Sequence, residues 1–259
     1  MACSVFDGKA FAQKLLNNLQ IKRAPTLVTF LPEDDEASAT YVNMKRKAVE
    51  GVGGRAIVEK EQGFYQIIEK IRKYNADPLV HGIMLQLPLR GNLSGKKAEI
   101  LSVIDPKKDV DGHLKISPYL PATVKAVMGI LDFAGALGDR TKRFVVLGSK
   151  GEVGGRVFSE LSREGFLVHG YDREGMTEIS LDEVMPDVDI FISATGVPGL
   201  VKGKYLKKGV VIVDVGFPKG DVIFDEACEV ASFITPVPGG VGPVTIASLL
   251  ENLVIAANS

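Results

Sequence analysis

A lysine and a tyrosine share one face of a predicted helix in the first half of the chain. Ser38, Tyr41 and Lys45 stand three and four residues apart in a segment with helical periodicity, and residues at these spacings lie on the same side of a helix. A lysine whose ammonium group is partly desolvated can act as a general acid or base. Because Lys45 begins the run Lys45-Arg46-Lys47, a solvated basic stripe would give the same pattern.

Further polar groups interrupt or follow apolar runs. Gln86 lies near the end of a predicted buried strand that stops at Pro88, so its amide either finds partners in the core or orients a catalytic group. Asp109 and Asp111 precede Gly112, a spacing compatible with an Asx turn or a metal site. We predict no metal site, because no third carboxylate supports one and the histidines match no ligand spacing: His81, His113 and His169.

A glycine-rich turn in the second half lies between a predicted strand and a predicted helix. Gly148, Gly151 and Gly154 depart from the G-x-G-x-x-G spacing. Glycines nevertheless let the backbone approach a pyrophosphate, and free N–H groups at a helix start bind its charge. The turn therefore indicates dinucleotide binding, and a plain tight turn is the alternative.

The strand after this turn ends in an acidic residue. Asp172 stands 24 residues after Gly148, close to the ~20 expected for the group that binds a ribose 2′-hydroxyl in NAD. The adjacent Arg173 could instead pair with the 2′-phosphate of NADP, and a surface Asp-Arg pair is the third alternative. Two later turns, 194–196 and 214–216, also follow buried strands, at the edge where α/β sheets bind ligands.

A stiff loop with few side chains precedes the last helix. Pro236 and Pro238 fix φ, and Gly239, Gly240 and Gly242 expose bare backbone. Such a loop suits stacking against a flat ligand, and a structural hinge is the alternative.

The elements that must position these groups alternate between strands and helices along the 259 residues. Continuous apolar strands separated by helices are typical of parallel sheets covered on both faces. We therefore predict an α/β protein of two domains joined near Ala122, the second Rossmann-like. The segment 243–257 is predicted to form an amphipathic C-terminal helix.

Composition excludes several classes of protein. With 31 basic and 32 acidic residues the net charge is −1, so we expect no nucleic-acid partner. Apolar runs look too short to span a bilayer and the first residues lack a basic segment followed by an apolar one, so we expect neither a membrane span nor a signal peptide. Two cysteines, Cys3 and Cys228, are too few for a disulfide framework. We therefore expect a protein of the reducing cytoplasm.

Five motifs occur together and in order. They are Ser38-x-x-Tyr41-x-x-x-Lys45, Gln86-Leu87-Pro88-Leu89, Lys108-Asp109-Val110-Asp111-Gly112, Asp214-Val215-Gly216 and the Pro-Val-Pro-Gly-Gly-Val-Gly-Pro run at 236–243. In this combination the chain resembles the methylenetetrahydrofolate dehydrogenase/methenyltetrahydrofolate cyclohydrolase family from about residue 8 to residue 257.

The resemblance implies an architecture and a reaction. The folate would bind in a cleft between an N-terminal catalytic domain, residues 1–121 and 244–259, and a dinucleotide-binding domain, residues 122–243. The last helix would pack on the N-terminal domain, and the chain would form a homodimer. The protein would oxidise 5,10-methylenetetrahydrofolate by hydride transfer to NADP and hydrolyse the methenyl product to 10-formyltetrahydrofolate.

The resemblance also implies roles for single residues. Lys45 matches the catalytic lysine, Tyr41 the tyrosine that stacks on the folate, Gln86 the glutamine that tunes the lysine, and Asp111 the aspartate that holds the pterin. Other folate contacts would come from Leu87, Pro238 and Gly239. The predicted cofactor-binding residues are Thr123, Gly148, Ser149, Lys150, Asp172, Arg173, Ala194, Thr195, Gly196, Val215, Gly242 and Thr245.

The sequence departs from the family pattern in several places. Ser149 and Lys150 stand where relatives have an arginine, which binds the 2′-phosphate, and a serine. If the charge has moved to Lys150 or Arg173 the cofactor is NADP, which we expect; if it is lost, Asp172 favours NAD. The segment 112–121 is shorter than in relatives. A dehydrogenase without cyclohydrolase activity and a non-catalytic dinucleotide-binding module are therefore the alternatives.

Overall fold

A computed structural model describes residues 3–32, 36–172 and 187–259. In the described part the strands are β1 (Ser4–Val5), β2 (Thr26–Phe30), β3 (Arg55–Glu59), β4 (Gly82–Leu85), β5 (Arg143–Leu147), β6 (Leu167–Tyr171), β7 (Ile190–Ser193), β8 (Val211–Asp214) and β9 (Phe233–Ile234). The helices are α1 (Gly8–Asn17), α2 (Glu36–Gly51), α3 (Phe64–Ala76), α4 (Lys97–Leu101), α5 (Ala122–Phe133), α6 (Glu152–Arg163), α7 (Phe224–Cys228) and α8 (Val241–Asn258).

The chain forms two compact units, each made of two chain segments. The six-stranded unit comprises the residues up to Phe11 and Thr123–Thr245, and the three-stranded unit comprises Ala12–Ala122 and Ile246–Ser259. The unit boundaries fall within helices α1, α5 and α8.

The six-stranded unit is built on a parallel sheet. Its strand order is β1-β9-β8-β7-β5-β6, and every pairing is parallel. The central strands are buried along almost their whole length because their side chains are apolar. The predicted α/β class with a Rossmann-like second sheet is therefore confirmed.

The N-terminal strand differs from its predicted placement. β1 pairs in parallel with β9 and forms an edge of the six-stranded sheet, whereas the resemblance implies an N-terminal domain that contains residues 1–121. Ser4 N–H donates to Ser232 O at 3.0 Å and Phe6 N–H to Ile234 O at 2.9 Å. A strand of two residues is too short to show the alternation that would reveal its partner.

The three-stranded unit contains a smaller parallel sheet of order β3-β2-β4. One side is covered by a cluster that includes Val28, Phe30, Ile67 and Ile83. A second cluster joins strand and α2 residues to the C-terminal helix, and its members include Leu27, Val49, Met84, Leu250 and Leu253. Helix α8 is therefore part of the core of this unit.

Helix α8 differs from the predicted amphipathic helix. It has the length and hydropathy of a membrane-crossing helix, but 67% of it is buried inside the structure, as in the core helix of a globular unit. Its seven consecutive residues from 244 to 250 are all buried. The apolar residues of α8 surround the helix instead of forming one stripe, because the helix is buried on most sides.

Candidate active site

Helix α2 separates one lysine from its basic neighbours. Lys45 is only 5% exposed, and its Nζ lies 4.5 Å from the centroid of the Tyr41 ring. Arg46 instead lies at the surface, where it pairs with Glu50 at 3.0 Å, and Lys47 is exposed. The solvated-stripe interpretation therefore holds for Arg46 and Lys47 and fails for Lys45.

Gln86 lies directly after β4 and contacts this lysine. Lys45 Nζ donates to Gln86 Oε1 at 3.4 Å, and Gln86 Nε2 donates to Leu87 O at 2.8 Å. The backbone N–H of Gln86 donates to Phe30 O at 2.8 Å. Because the amide nitrogen is bonded to a carbonyl, the amide oxygen is the atom turned toward the lysine.

Burial and charge change the proton affinities in this cluster. Burial lowers the pKa of Lys45, and the negative charge of Asp111 partly opposes that shift. Burial raises the pKa of Tyr41, and Asp111 raises it further. A lysine with a lowered pKa is more readily neutral near physiological pH, so it can accept a proton from a reacting group.

The two aspartates before Gly112 have different surroundings. Asp109 is 1% exposed and accepts backbone N–H bonds from His113 at 3.1 Å and Leu114 at 2.7 Å. It therefore forms the turn that the spacing predicted as one alternative, and burial raises its pKa. The side chain of Asp111 lies 3.2 Å from His113 Nε2. Among the described residues, no three histidines, cysteines or carboxylates cluster as metal ligands.

An asparagine on α8 supports the loop that carries Asp111. Asn252 Nδ2 donates to Val110 O at 2.9 Å and to Leu120 O at 3.0 Å. No local pattern predicts this role, because Asn252 stands 142 positions from Val110 in the sequence. A polar residue in an apolar helix was the available signal.

The glycine-rich turn is required by close packing. Gly148 has φ +89°, and a Cβ there would lie 2.5 Å from Ala194 O. A Cβ on Gly154 would overlap Gly148 O. The first N–H of the turn, that of Gly148, donates to Tyr171 O at 2.7 Å. The structure thus brings together the predicted cofactor residues Gly148 and Ala194 at the carboxyl ends of β5 and β7.

Asp172 is bonded to the glycine-rich turn. Its Oδ2 accepts from Ser149 Oγ at 3.0 Å, and its Oδ1 accepts from Lys150 N–H at 2.8 Å. The side chain of Lys150 is exposed. Arg173, the other predicted cation, lies outside the described residues.

Two buried aspartates hold the later turns together. Asp221 Oδ2 accepts from Ser193 Oγ at 2.9 Å and from Thr195 N–H and Oγ1 at 2.7 and 2.8 Å. Asp214 accepts N–H bonds from Gly216, Asp221 and Val222, and burial raises its pKa to about 6. Asp221 is not among the predicted site residues, because it stands 26 residues from Thr195 and no local pattern links the two.

The other predicted residues of the six-stranded unit lie in turns and helix starts. Gly196 follows Thr195 with φ +66°, and Val215 N–H donates to Ser193 O at 2.8 Å. Pro238 and Gly239 lie in the loop before α8. Three predicted residues lie near the starts of helices: Thr123 in α5, and Gly242 and Thr245 in α8.

Comparisons with known proteins agree with the two-unit α/β architecture described above. Residues 6–111 match the catalytic domain of tetrahydrofolate dehydrogenase/cyclohydrolase, and residues 121–259 match the NAD(P)-binding domain of the same family. The bifunctional protein FolD of Streptococcus pyogenes serotype M5 is 36% identical over 95% of both chains.

Solved structures give the same result. A FolD of Trypanosoma brucei, complexed with NADP and an inhibitor, has a TM-score of 0.92 and 31% identity and covers 100% of this chain and 98% of its own. FolD of Campylobacter jejuni has a TM-score of 0.87 and 32% identity over 99% of each chain. This chain therefore belongs to the tetrahydrofolate dehydrogenase/cyclohydrolase family, and the resemblance inferred from its motifs is confirmed.

Proposed function

We propose that this chain oxidises 5,10-methylenetetrahydrofolate to the methenyl form with NADP and then hydrolyses that form to 10-formyltetrahydrofolate. The observation that carries the proposal is a buried lysine with lowered pKa, held at 3.4 Å from Gln86 Oε1. The bifunctional naming of the S. pyogenes relative and the NADP bound to the T. brucei structure support both the reaction and the cofactor.

Lys45 transfers protons in the hydrolytic step. The oxygen of a water molecule bonds to the methenyl carbon while Lys45 Nζ accepts one proton from that water. The carbon–N5 bond then breaks as the remaining hydroxyl loses its proton to solvent and becomes the formyl oxygen. Lys45 returns its proton to N5, so one proton is released overall and the lysine is regenerated. Gln86 keeps Nζ in place through this exchange.

In the oxidation the protein supplies position and a binding surface. The bound nicotinamide accepts the hydride that leaves the methylene carbon. Tyr41 stacks on the folate, Asp111 accepts N–H bonds from its pterin ring, and Leu87 provides a further contact. Placement of the two reacting carbons is the main contribution of these residues.

The glycine-rich turn fits a dinucleotide. A side chain at Gly148 or Gly154 would overlap backbone, so glycine at both positions lets the turn pack tightly before the start of α6, where a pyrophosphate would bind. Lys150, exposed beside Asp172, would pair with the 2′-phosphate. The remaining cofactor contacts would come from the predicted residues of the later turns and helix starts. We further propose a cytoplasmic homodimer that needs no metal, nucleic acid or membrane.

The direct test mixes the purified protein with methylenetetrahydrofolate and either NADP or NAD, and follows reduced nicotinamide and the methenyl intermediate together. We expect turnover with NADP and no accumulation of methenyltetrahydrofolate. Accumulation would support the dehydrogenase-only alternative, and turnover with NAD alone would show that Asp172 sets the cofactor. Binding of NADP without turnover of folate would support the non-catalytic module.

Replacement of Lys150 tests the choice of cofactor. Lys150→Ala should raise the KM for NADP roughly tenfold, because it removes a charge-assisted contact of ~1.4 kcal/mol to the 2′-phosphate. The KM for NAD should stay unchanged. Lys208→Ala is the matched control, since this exposed lysine precedes β8 and lies far along the chain from the glycine-rich turn. An unchanged KM for NADP in Lys150→Ala would contradict the assignment.

A further inference from the structure

His113 lies beside the aspartate that is proposed to hold the pterin. His113 Nε2 is 3.2 Å from Asp111 Oδ2, and the two side chains are only 16% and 18% exposed. Asp111 is also the charge that acts on both Lys45 and Tyr41. Asp111 therefore connects the proposed pterin contact with the proton-transfer group Lys45. A side chain that fixes the carboxylate of Asp111 affects both.

The backbone around His113 is held by hydrogen bonds and close packing. Buried Asp109 accepts the N–H bonds of His113 and Leu114. Gly112 has φ +70°, and a Cβ there would lie 2.7 Å from the backbone of Pro121, so the chain turns tightly against its own return segment. The turn therefore fixes the position of the His113 backbone before any ligand binds.

Side chains of α8 and of the loop itself also hold the loop that carries Asp111 and His113. Asn252 donates to the carbonyls of Val110 and Leu120, and Ser117 Oγ donates to Asp109 O at 3.0 Å. These bonds hold the start of the loop, its middle and its return segment in place. The Asp111–His113 pair is thus held by a network in which each member has a structural partner.

We infer that His113 is a positioning residue for Asp111, an inference that rests on the proposed function. By donating from Nε2 to Oδ2, it fixes the rotation of the carboxylate, so that Asp111 presents its oxygens to the N–H groups of the pterin ring in one orientation. The substrate then loses no binding free energy to reorientation of the carboxylate. The role is separate from proton transfer, which belongs to Lys45.

Two substitutions at this position separate positioning from structure. His113→Phe keeps a ring but removes the donor, and should raise the KM for methylenetetrahydrofolate roughly tenfold, equivalent to ~1.4 kcal/mol. Because binding is lost equally in the ground and transition states, kcat should change less. His113→Gln, whose amide nitrogen can occupy the place of Nε2, should restore most of the affinity. The KM for NADP should not move in either variant.

The measurements are steady-state kinetics, calorimetric titration with tetrahydrofolate and thermal denaturation. His169→Phe, at an exposed position of β6, is the matched control and should behave as wild type. An unchanged Kd for tetrahydrofolate in His113→Phe would overturn the inference, as would a His113→Gln variant as weak as His113→Phe. Absence of turnover in the wild type would contradict the proposed function, whereas the calorimetric Kd still decides the role of His113.

Discussion

Burial distinguishes Lys45 from the two basic residues that follow it in the sequence. The side chain of Lys45 is 5% exposed, while Arg46 and Lys47 lie toward solvent. A buried ammonium group loses hydration that one glutamine oxygen and the field of Asp111 only partly replace, so its pKa falls. The same physical cost that destabilises the protonated lysine makes it useful as a base.

Removal of the Lys45 amine tests its role in catalysis. Lys45→Met, which keeps an unbranched side chain, should lower cyclohydrolase activity by about 100-fold or more, the usual contribution of a positioned acid or base. Lys47→Met is the control, since Lys47 is an exposed lysine on the same helix. The assay is loss of methenyltetrahydrofolate absorbance. Full activity of Lys45→Met would rule out Lys45 as the proton-transfer group.

The lowered pKa of Lys45 also predicts a pH-dependent stability. The folded chain binds fewer protons at this lysine than the unfolded chain, so the free energy of unfolding rises with pH between the lowered pKa and the ordinary value near ~10.4. Lys45→Met removes the cost of burying an amine. We expect its Tm at pH 7 to exceed that of the wild type by about 2–4 °C for each kcal/mol gained.

The difference should shrink as the pH rises toward 10, because the lysine of the unfolded wild type starts to lose its proton as the pH nears its ordinary pKa. Scanning calorimetry of wild type, Lys45→Met and Lys47→Met at pH 7 and pH 10 measures it. A Lys45→Met variant that is less stable than wild type at pH 7 would show that the attraction of Asp111 for the ammonium group outweighs the cost of burying that group.

At the scale of elements, what could be predicted depends on sequence separation. The shared face of Tyr41 and Lys45 could be predicted because helical spacing is local, and the parallel sheets because their strands are continuously apolar. The bonds from Asn252 and Asp221 to distant loops could not, because they depend on how the chain folds back. The place of the two-residue strand β1 in the six-stranded sheet could not be predicted for the same reason, since its partner β9 is more than 200 residues away.

The start of α1 and the loop before α8 form another long-range contact. Gly8 packs so closely that a Cβ would overlap the carbonyl oxygens of Gly239 and Gly240. Gly8→Ala should therefore displace the loop or the helix, at a cost of ~1–3 kcal/mol, and lower the Tm. Gly138→Ala, with no atom within 4 Å of the added carbon, is the control. Equal Tm values for the two variants would contradict this account of the contact.

The whole molecule is two units whose chain segments interleave. The three-stranded unit contains the Tyr41, Lys45, Gln86 and Asp111 cluster, yet it is completed only by the last 14 residues of the chain, Ile246–Ser259. The six-stranded unit contains the glycine-rich turn and is completed by the N-terminal strand. Each proposed half of the chemistry thus depends on a segment from the far end of the sequence.

A core substitution in α8 should therefore affect the two units unequally. Leu250 is fully buried in a cluster with Leu27, Val49 and Met84, and Leu250→Ala should cost about 2–5 kcal/mol by leaving a cavity. We expect tetrahydrofolate binding and cyclohydrolase activity to be lost at a lower temperature, while the Kd for NADP changes little. Ile255→Ala, on the same helix but 52% exposed, is the control.

Thermal scans monitored by tetrahydrofolate binding and by NADP binding distinguish the outcomes. Separate midpoints in Leu250→Ala, with only the folate midpoint lowered, would mean that the three-stranded unit unfolds on its own. If both midpoints fall together, the units unfold as one cooperative body, and the burial of α8 stabilises the nucleotide-binding sheet as well. An unchanged midpoint for tetrahydrofolate binding would show that helix α8 does not complete the core of the three-stranded unit.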